Sequence, residues 1–296
     1  VPRSSPQTDR VIAVINLLTD RGEQGGTLTE IAAHVGQTPS ALVHVLASLT
    51  AAGFVVRRPD DRRYRLGRGL IAPGQVALGR EPELDRMRTV VTALAHRTGY
   101  AVFAFVRDGD YARLVETGWD RSGPAPWMRI GDLLPIDPPL GASFVAWNGD
   151  AAVEQWLGRV ASPSTRQALQ ERLRFARELG FVVELRPPVQ VMDEIARLAA
   201  RGQNLRRAER MPSRLTDAEQ YIAGELKPTA RYQLASLSVP VCRPNGVDRV
   251  INVVGLGQPL TGRQVVKLGR TIRAAADDLA ASEMEESPLI AADSAR

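Results

Sequence analysis

Between residues 27 and 66 the apolar spacing changes from the period of a helix to the period of a strand, and the change follows two short helical runs set close together. Leu28, Ile31, Ala32 and Val35 repeat at i, i+3, i+4, i+7. After a break at Gly36 the same comb returns as Leu42, Val45, Leu46 and Leu49, a spacing that puts four apolar side chains on one helix face. Thr27 and Glu30 stand three apart, as a capping box requires; Gly36 suits the left-handed residue that ends a helix; Ser40 after Pro39 opens the second run. Beyond Gly53, Phe54 and Val56, then Tyr64 and Leu66, alternate on either side of the polar turn Pro59, Asp60, Asp61, Arg62, which reads as a two-stranded hairpin. Helix, turn, helix and hairpin in this order predict a winged helix-turn-helix.

What faces outward on that scaffold points to a partner. With the Leu42 face buried, the second helix presents Ser40, Ala41, Val43, His44, Ala47 and Ser48, a surface small enough to enter a DNA major groove. The hairpin carries Arg57, Arg58, Arg62, Arg63, Arg65 and Arg68 against Asp60 and Asp61, as expected where cations replace phosphate counterions. Such a run can also be simply solvated; joined to the helix pair it favours double-stranded DNA. Thr38, Ser40, Ala41, Val43, His44 and Ser48 on the helix and Arg57, Arg58, Arg62 and Arg63 on the wing are the candidate DNA contacts. The charge distribution agrees: residues 1–80 hold ten arginines against six acidic residues, so +4 of the formal net charge of +5 is N-terminal.

At 296 residues, 44% hydrophobic and 24% charged, the chain has room for two ordinary cores. Cys242 is the single cysteine, and His34, His44 and His96 lack metal-ligand spacing, so no metal or cofactor is expected. No apolar run approaches the ~18 residues of a membrane span and no signal peptide is visible, which predicts a cytoplasmic protein without membrane partners. An enzyme in the C-terminal region, tethered by the N-terminal one, is the competing reading. It lacks a nucleophile elbow and a phosphate loop, and Gly255-Leu256-Gly257 falls short of a dinucleotide fingerprint.

Outside the motif, Val11, Val14, Ile15 and Leu18 stripe a first helix over about Thr8 to Thr19, with Ile12 and Leu17 off the stripe. A helix apolar nearly all round needs two partners, the second being the same helix of another subunit. Residues 67–80 read as a connecting helix interrupted at Pro73 and Gly74. From Glu83 the pattern is α+β: a helix from Leu84 to Thr98, strands at Ala101–Val106 and Ala112–Thr117 about Asp108-Gly109, strands at Gln233–Arg243 and Asp248–Leu256 about Asn245-Gly246, and a closing helix Gly262–Ala281. Residues 186–231 read as a helical insertion. One helix spans Asp193–Ala200, another opens at a Thr216/Glu219 capping box and ends before Pro228, and arginines from Arg197 to Arg214 make a basic run suited to a lid or subunit contact, with a second nucleic-acid surface as the alternative. Residues 283–296 are expected to be a disordered tail.

LTEIAAHVG, LASLTAAGFVVRR with YRLGRGL, LAHRTGYAVF, ARELGFVV and LTGRQVVKLGRTIRAAADDLA together resemble the IclR-type transcriptional regulators over most of residues 8–281. The resemblance implies a winged helix-turn-helix over 8–66, a linker helix over 67–82 and a GAF-like effector-binding domain with an antiparallel sheet over 83–282. It implies homodimers or homotetramers on a pseudo-palindromic operator, acting as a repressor modulated by a small effector. Where the family commonly shows Ser-Thr-x-x-Arg, this chain has Ser40, Ala41 and His44, which shifts weight toward phosphates, wing and DNA shape. Where the family often has a Cys and two Ser in its pocket, the matching positions are Ser236, Gly255 and Gly257, which favours a larger, partly apolar ligand over a small keto acid. The segment 129–147 resembles the pocket's third wall, with Gly141, Ala142 and Ser143 offering N–H groups to an anion; Pro138-Pro139-Leu140 is alternatively a rigid turn into a core helix. The candidate effector residues are thus Leu133, Asp137, Leu140, Gly141, Ala142, Ser143, Ser236, Ser238, Gly255 and Gly257. Trp119 and Trp127 are core or rim residues that could also face an apolar ligand.

Overall fold

A computed structural model describes residues 5–79, 82–119, 128–186 and 221–293. The chain divides into two compact units, Val1–Pro82 and Glu83–Arg296. Among the described residues no helix is long and apolar enough to cross a membrane.

The N-terminal unit contains α1 (Pro6–Arg21), α2 (Leu28–Val35), α3 (Pro39–Ala51), β1 (Val55–Arg57), β2 (Tyr64–Leu66) and α4 (Ile71–Gly79). The two combs meet in one core. Ile31 and Ala32 of α2 and Leu42, Leu46 and Leu49 of α3 pack with Val14, Leu17 and Leu18 of α1 and Val55 of β1. Each large side chain buried there contributes roughly 1.5–3 kcal/mol. Leu17 belongs to this core, while Ile12, the other residue off the α1 stripe, is exposed. The capping box is formed: Thr27 Oγ1 accepts from the Glu30 amide at 3.3 Å and the Thr27 amide donates to Glu30 Oε2 at 3.2 Å. Gly36 takes the left-handed conformation, φ 67° and ψ 35°, that ends α2.

Three local expectations are corrected here. The cap of α3 is Thr38, whose hydroxyl accepts from the Ala41 amide at 3.3 Å, so the helix begins at Pro39 rather than Ser40. In the wing Val55 is buried in the core and Phe54 packs half-buried against it, whereas Val56 is exposed. Phe54 is still held by the turn that leaves α3, its amide bonded to the Leu49 carbonyl, so the strand alternation starts one residue later. The connecting segment is not broken at Pro73: a 3₁₀ turn over Arg68–Leu70 leads into α4, where Pro73 occupies the first turn and its missing N–H deprives the helix of no bond.

The C-terminal unit is built on a six-stranded antiparallel sheet in the order β5-β4-β3-β9-β8-β6. Its strands are β3 (Ala101–Asp108), β4 (Tyr111–Gly118), β5 (Leu133–Pro135), β6 (Val182–Leu185), β8 (Leu234–Arg243) and β9 (Gly246–Val254). A separate two-residue pair joins β7 (Arg231–Tyr232) to β10 (Leu260–Thr261). Strand alternation sorts the side chains onto two faces. Val102, Ala104, Leu237, Val239, Ile251 and Val253 pack on one side with α5 (Pro82–Thr98) and α9 (Gly262–Asp293). Phe103, Phe105, Val250 and Val254 face the other, with α6 (Ala142–Val145), α7 (Gly149–Leu157) and α8 (Pro163–Leu179).

Both expected hairpins form. In the second, Arg243 pairs with Gly246, so Pro244 and Asn245 make the turn and the strand resumes two residues earlier than the spacing suggested. Gly246, at φ +102°, has no room for a Cβ because Asn148 stands against it. Asn148 uses that proximity to bond both the amide and the carbonyl of Val247, at 2.6 and 2.8 Å.

Of the 186–231 insertion, residues 187–220, with the Asp193–Ala200 helix, the basic run and the Thr216/Glu219 box, lie outside the described residues. Residues 221–227 are not helical. Tyr221 and Ala223 bond the backbone of Leu185 and Val183 at 2.7 and 2.9 Å, and Arg172 of α8 donates to the Ile222 carbonyl. The sheet edge at β6 captures this stretch because its unpaired backbone groups need partners. At the other end α9 runs on to Asp293 instead of giving way to a tail, as the helix formers Ala281, Glu283, Met284, Glu285 and Glu286 favour.

Candidate DNA-binding face and ligand cavity

On α3, Ser40, Val43, His44, Ala47 and Ser48 are exposed and Ala41 is half-buried. Thr38 is also exposed, but its hydroxyl caps the helix. Val43, Ala47 and Thr50 continue into an open depression whose far side is Arg57 and Tyr64 of the wing. There Arg57 lies over the Tyr64 ring at 5.5 Å, which holds its charge beside the helix.

The wing's arginines divide into two groups. Arg63 donates to Glu30 Oε2 at 2.7 Å and to the Gln24 carbonyl at 2.7 Å, and Arg65 grips Asp61 through two nitrogens at 3.2 and 2.6 Å. Arg21 reaches the same Glu30 oxygen at 2.6 Å. The Thr27 amide, then Arg21 and Arg63, hold the Glu30 carboxyl below its ordinary range. The Arg65 hydrogen bond, helped by the Arg63 amide, brings Asp61 down to about 2. Arg63, a candidate DNA contact from the sequence, therefore fastens the wing to α2. Arg58 and Arg62 are exposed and their side chains make no ion pair among the described residues.

In the C-terminal unit a cavity of about 390 Å³ opens between the β3/β9/β8 face and the α6 layer. Its walls are Phe103, Phe105, Met128, Leu134, Leu140 and Phe144; its polar groups are Ser143, Glu184, Arg186, Tyr221, Ser236, Ser238 and Asn252. Of the sequence candidates, Leu140, Gly141, Ser143, Ser236, Ser238 and Gly255 line it. Leu133, Asp137, Ala142 and Gly257 do not. Leu133 alternates with Leu134, which takes the cavity side; Asp137 is bound by Arg159 at 3.4 Å; Ala142 is packed in the core; Gly257 is past the end of β9, in a turn closed on Gly255. The helix start that was to offer N–H groups to an anion is a single turn, with the Phe144 amide already bonded to Gly141. Trp119 is exposed outside the cavity, and Trp127 lies outside the described residues.

Sequence reasoning missed Glu184, Arg186, Tyr221 and Asn252. Asn252, set between Ile251 and Val253, did carry a signal as a polar residue on the opposite face of an apolar strand. Which side held the cavity depended on the pairing of strands distant in sequence. Glu184 is buried and accepts from Ser236 and, at 3.3 Å, from Tyr221. Desolvation is the largest influence on it and raises its pKa, the two hydrogen bonds opposing. Burial of this kind disfavours the charged carboxylate. Among the described residues no group of three His, Cys, Asp or Glu side chains is placed to hold a metal ion.

Comparison with known proteins agrees with this architecture. The model of the IclR helix-turn-helix domain matches residues 7–59. The HTH-type transcriptional regulator XynR of Escherichia coli (strain K12) is 25% identical over 184 residues, which cover 60% of this chain and 73% of that protein. The IclR transcriptional regulator from Alicyclobacillus acidocaldarius superposes with a TM-score of 0.63 at 20% identity, over 94% of this chain and 99% of that one. An IclR homologue from Microbacterium hydrocarbonoxydans, complexed with 4-hydroxybenzoate, superposes at 0.57 and 18% identity, over 93% and 99%. Residues 7–59 thus carry an IclR helix-turn-helix domain, and the chain shares the fold of these IclR regulator structures.

Proposed function

We propose that the chain is a ligand-responsive repressor acting in the cytoplasm, binding a pseudo-palindromic operator as a homodimer or homotetramer and modulated by a small, partly apolar effector held in the C-terminal cavity. The observation that carries the reading is that one chain combines an exposed α3 face beside cationic Arg57, Arg58 and Arg62 with a separate apolar cavity holding buried polar groups. A concave apolar site with a few placed polar groups is the usual form of a small-molecule site. The 4-hydroxybenzoate bound to the Microbacterium hydrocarbonoxydans homologue is an aromatic acid of a size suited to about 390 Å³. Ile12, exposed on α1, and Ile71 and Val76, exposed on α4, support pairing of DNA-binding units, which would set the half-site spacing. An effector changes DNA affinity only through different affinities for two arrangements of the chain.

The test is binding of purified protein to DNA upstream of its own gene and to random duplex at one fixed salt concentration, with and without aromatic acids that raise its melting temperature. Preference for the upstream DNA, altered by a binding acid, is the expected result. Equal affinity for both duplexes would rule the reading out.

A further inference from the structure

The inner end of the cavity holds two polar atoms without hydrogen-bond partners among the described residues. Ser238 on β8 and Asn252 on β9 are directly opposite each other in the ladder, so their side chains leave the same face of the sheet with Cβ atoms roughly 5 Å apart. Both line the cavity. Ser238 is 1% exposed, and neither its Oγ nor Asn252 Oδ1 has a hydrogen-bond partner among the described residues. Leaving such groups unsatisfied costs stability, and two of them side by side in the wall of a cavity point to a ligand that completes them.

The pair specifies a chemistry. Asn252 Oδ1 needs a donor, and the Ser238 hydroxyl can give a hydrogen bond. A hydroxyl group serves both at once, whereas a carboxylate only accepts and an ammonium only donates. Farther along the same face, Glu184 stands opposite Ser236, and two residues beyond Glu184 comes Arg186, exposed and the one cation among the described lining residues. Two residues of strand advance roughly 6.6 Å, so the Arg186 level lies roughly 13 Å from the Ser238 level along the backbone. A guanidinium reaching back over part of that distance leaves a span that about one ring fills, between walls made by Phe103, Phe105 and Phe144.

We propose that the cavity selects a hydroxylated aryl or alicyclic carboxylic acid, its hydroxyl inward on Ser238 and Asn252 and its carboxylate outward at Arg186. The assignment rests on the reading of this cavity as the effector site. Glu184 fits the scheme: its burial disfavours the charged form, which lessens repulsion of a carboxylate lying between it and Arg186.

Calorimetric titration of the full chain with 4-hydroxybenzoate, benzoate and 4-hydroxybenzamide tests it. Removing either the hydroxyl or the carboxylate is expected to weaken binding at least about tenfold, since a site built to bond a hydroxyl rejects the analogue that lacks it. Ser238→Ala should abolish the preference for 4-hydroxybenzoate over benzoate while leaving the ligand-free melting temperature unchanged or higher, which a merely structural serine would not do. Arg186→Gln should abolish the preference for 4-hydroxybenzoate over the amide. Benzoate binding as tightly as 4-hydroxybenzoate, preferences that survive Ser238→Ala and Asn252→Leu, or no binding of any probe at millimolar concentration overturns the assignment. Probes that show the expected preferences but leave DNA affinity unaltered overturn the effector reading instead.

Discussion

Arg63, in the wing, donates to Glu30, the residue that closes the capping box of α2, at 2.7 Å. One carboxylate thereby joins a helix start, the α1 terminus through Arg21 and the hairpin. Replacing Arg63 with Ala is expected to lower the melting temperature of the N-terminal unit by about 2–5 °C, because it also frees the Gln24 and Gly25 carbonyls. A differential scanning trace in which that transition does not move would show the contact to be incidental.

Arg62 has an exposed side chain at the wing tip and His44 an exposed one on α3. Arg62→Ala is expected to weaken binding to every duplex alike and to reduce the salt slope of log K by about 1. His44→Ala should reduce discrimination between sequences by about 1–3 kcal/mol. Titrations of operator and random DNA at several salt concentrations separate the two; identical effects on both duplexes would deny the division of roles.

Asp61 sets the acid limit of the wing. Its carboxyl is held at about 2, first by the Arg65 hydrogen bond and then by the Arg63 amide. A carboxyl depressed on folding contributes stability that is fully present above its unfolded value, near 3.8, and is lost as pH falls through about 2. A carbon-detected titration should therefore give Asp61 a midpoint near 2 in the native protein and a higher one in Arg65→Ala, short of 3.8 because the Arg63 amide still holds the carboxylate.

Glu184 has the opposite sign. Burial raises its pKa, so the folded state binds its proton more tightly than the unfolded state does. The associated stability is present below the unfolded value, near 4.5, and declines as pH rises through the raised folded value. Glu184→Gln removes that dependence. Its melting temperature relative to the parent should increase from pH 4 to pH 8; a constant difference would mean that Glu184 is ionised in the folded state.

Gly141, at φ +78°, borders the cavity, and a Cβ there would lie 2.8 Å from Ile136 Cγ2 and 2.9 Å from its Cα. Gly141→Ala is expected to destabilise the C-terminal unit by about 1–3 kcal/mol, since both the conformation and the close approach exclude a side chain. Denaturant unfolding with an unchanged midpoint would contradict this.

Local physics was readable without the fold. The Leu28 and Leu42 combs, the Thr27/Glu30 box, the left-handed Gly36 and the two hairpin glycines each act within a few residues, and each appears in the structure. Errors of one residue arose where a turn delayed the strand alternation, as at Phe54 and Val55. Larger errors arose where an element took its state from a distant partner. Tyr221–Ala223 is extended because the β6 edge offers unpaired backbone groups, although its own sequence favoured a helix.

For the cavity, the sequence determined the ingredients: serines on one strand, an asparagine on another, a Gly-Pro-rich wall between them. It also determined that the basic surface is N-terminal. Which residues meet was decided only in three dimensions. The Ser238–Asn252 pairing, the enclosure of Glu184 with Tyr221 and Ser236, and the commitment of Arg63 to Glu30 rather than to solvent all depend on register and burial between segments far apart in the chain. Periodicity shows that a residue leaves one face of its strand or helix, but the partner covering that face comes from elsewhere, and desolvation and hydrogen bonding by that partner set the residue's chemistry.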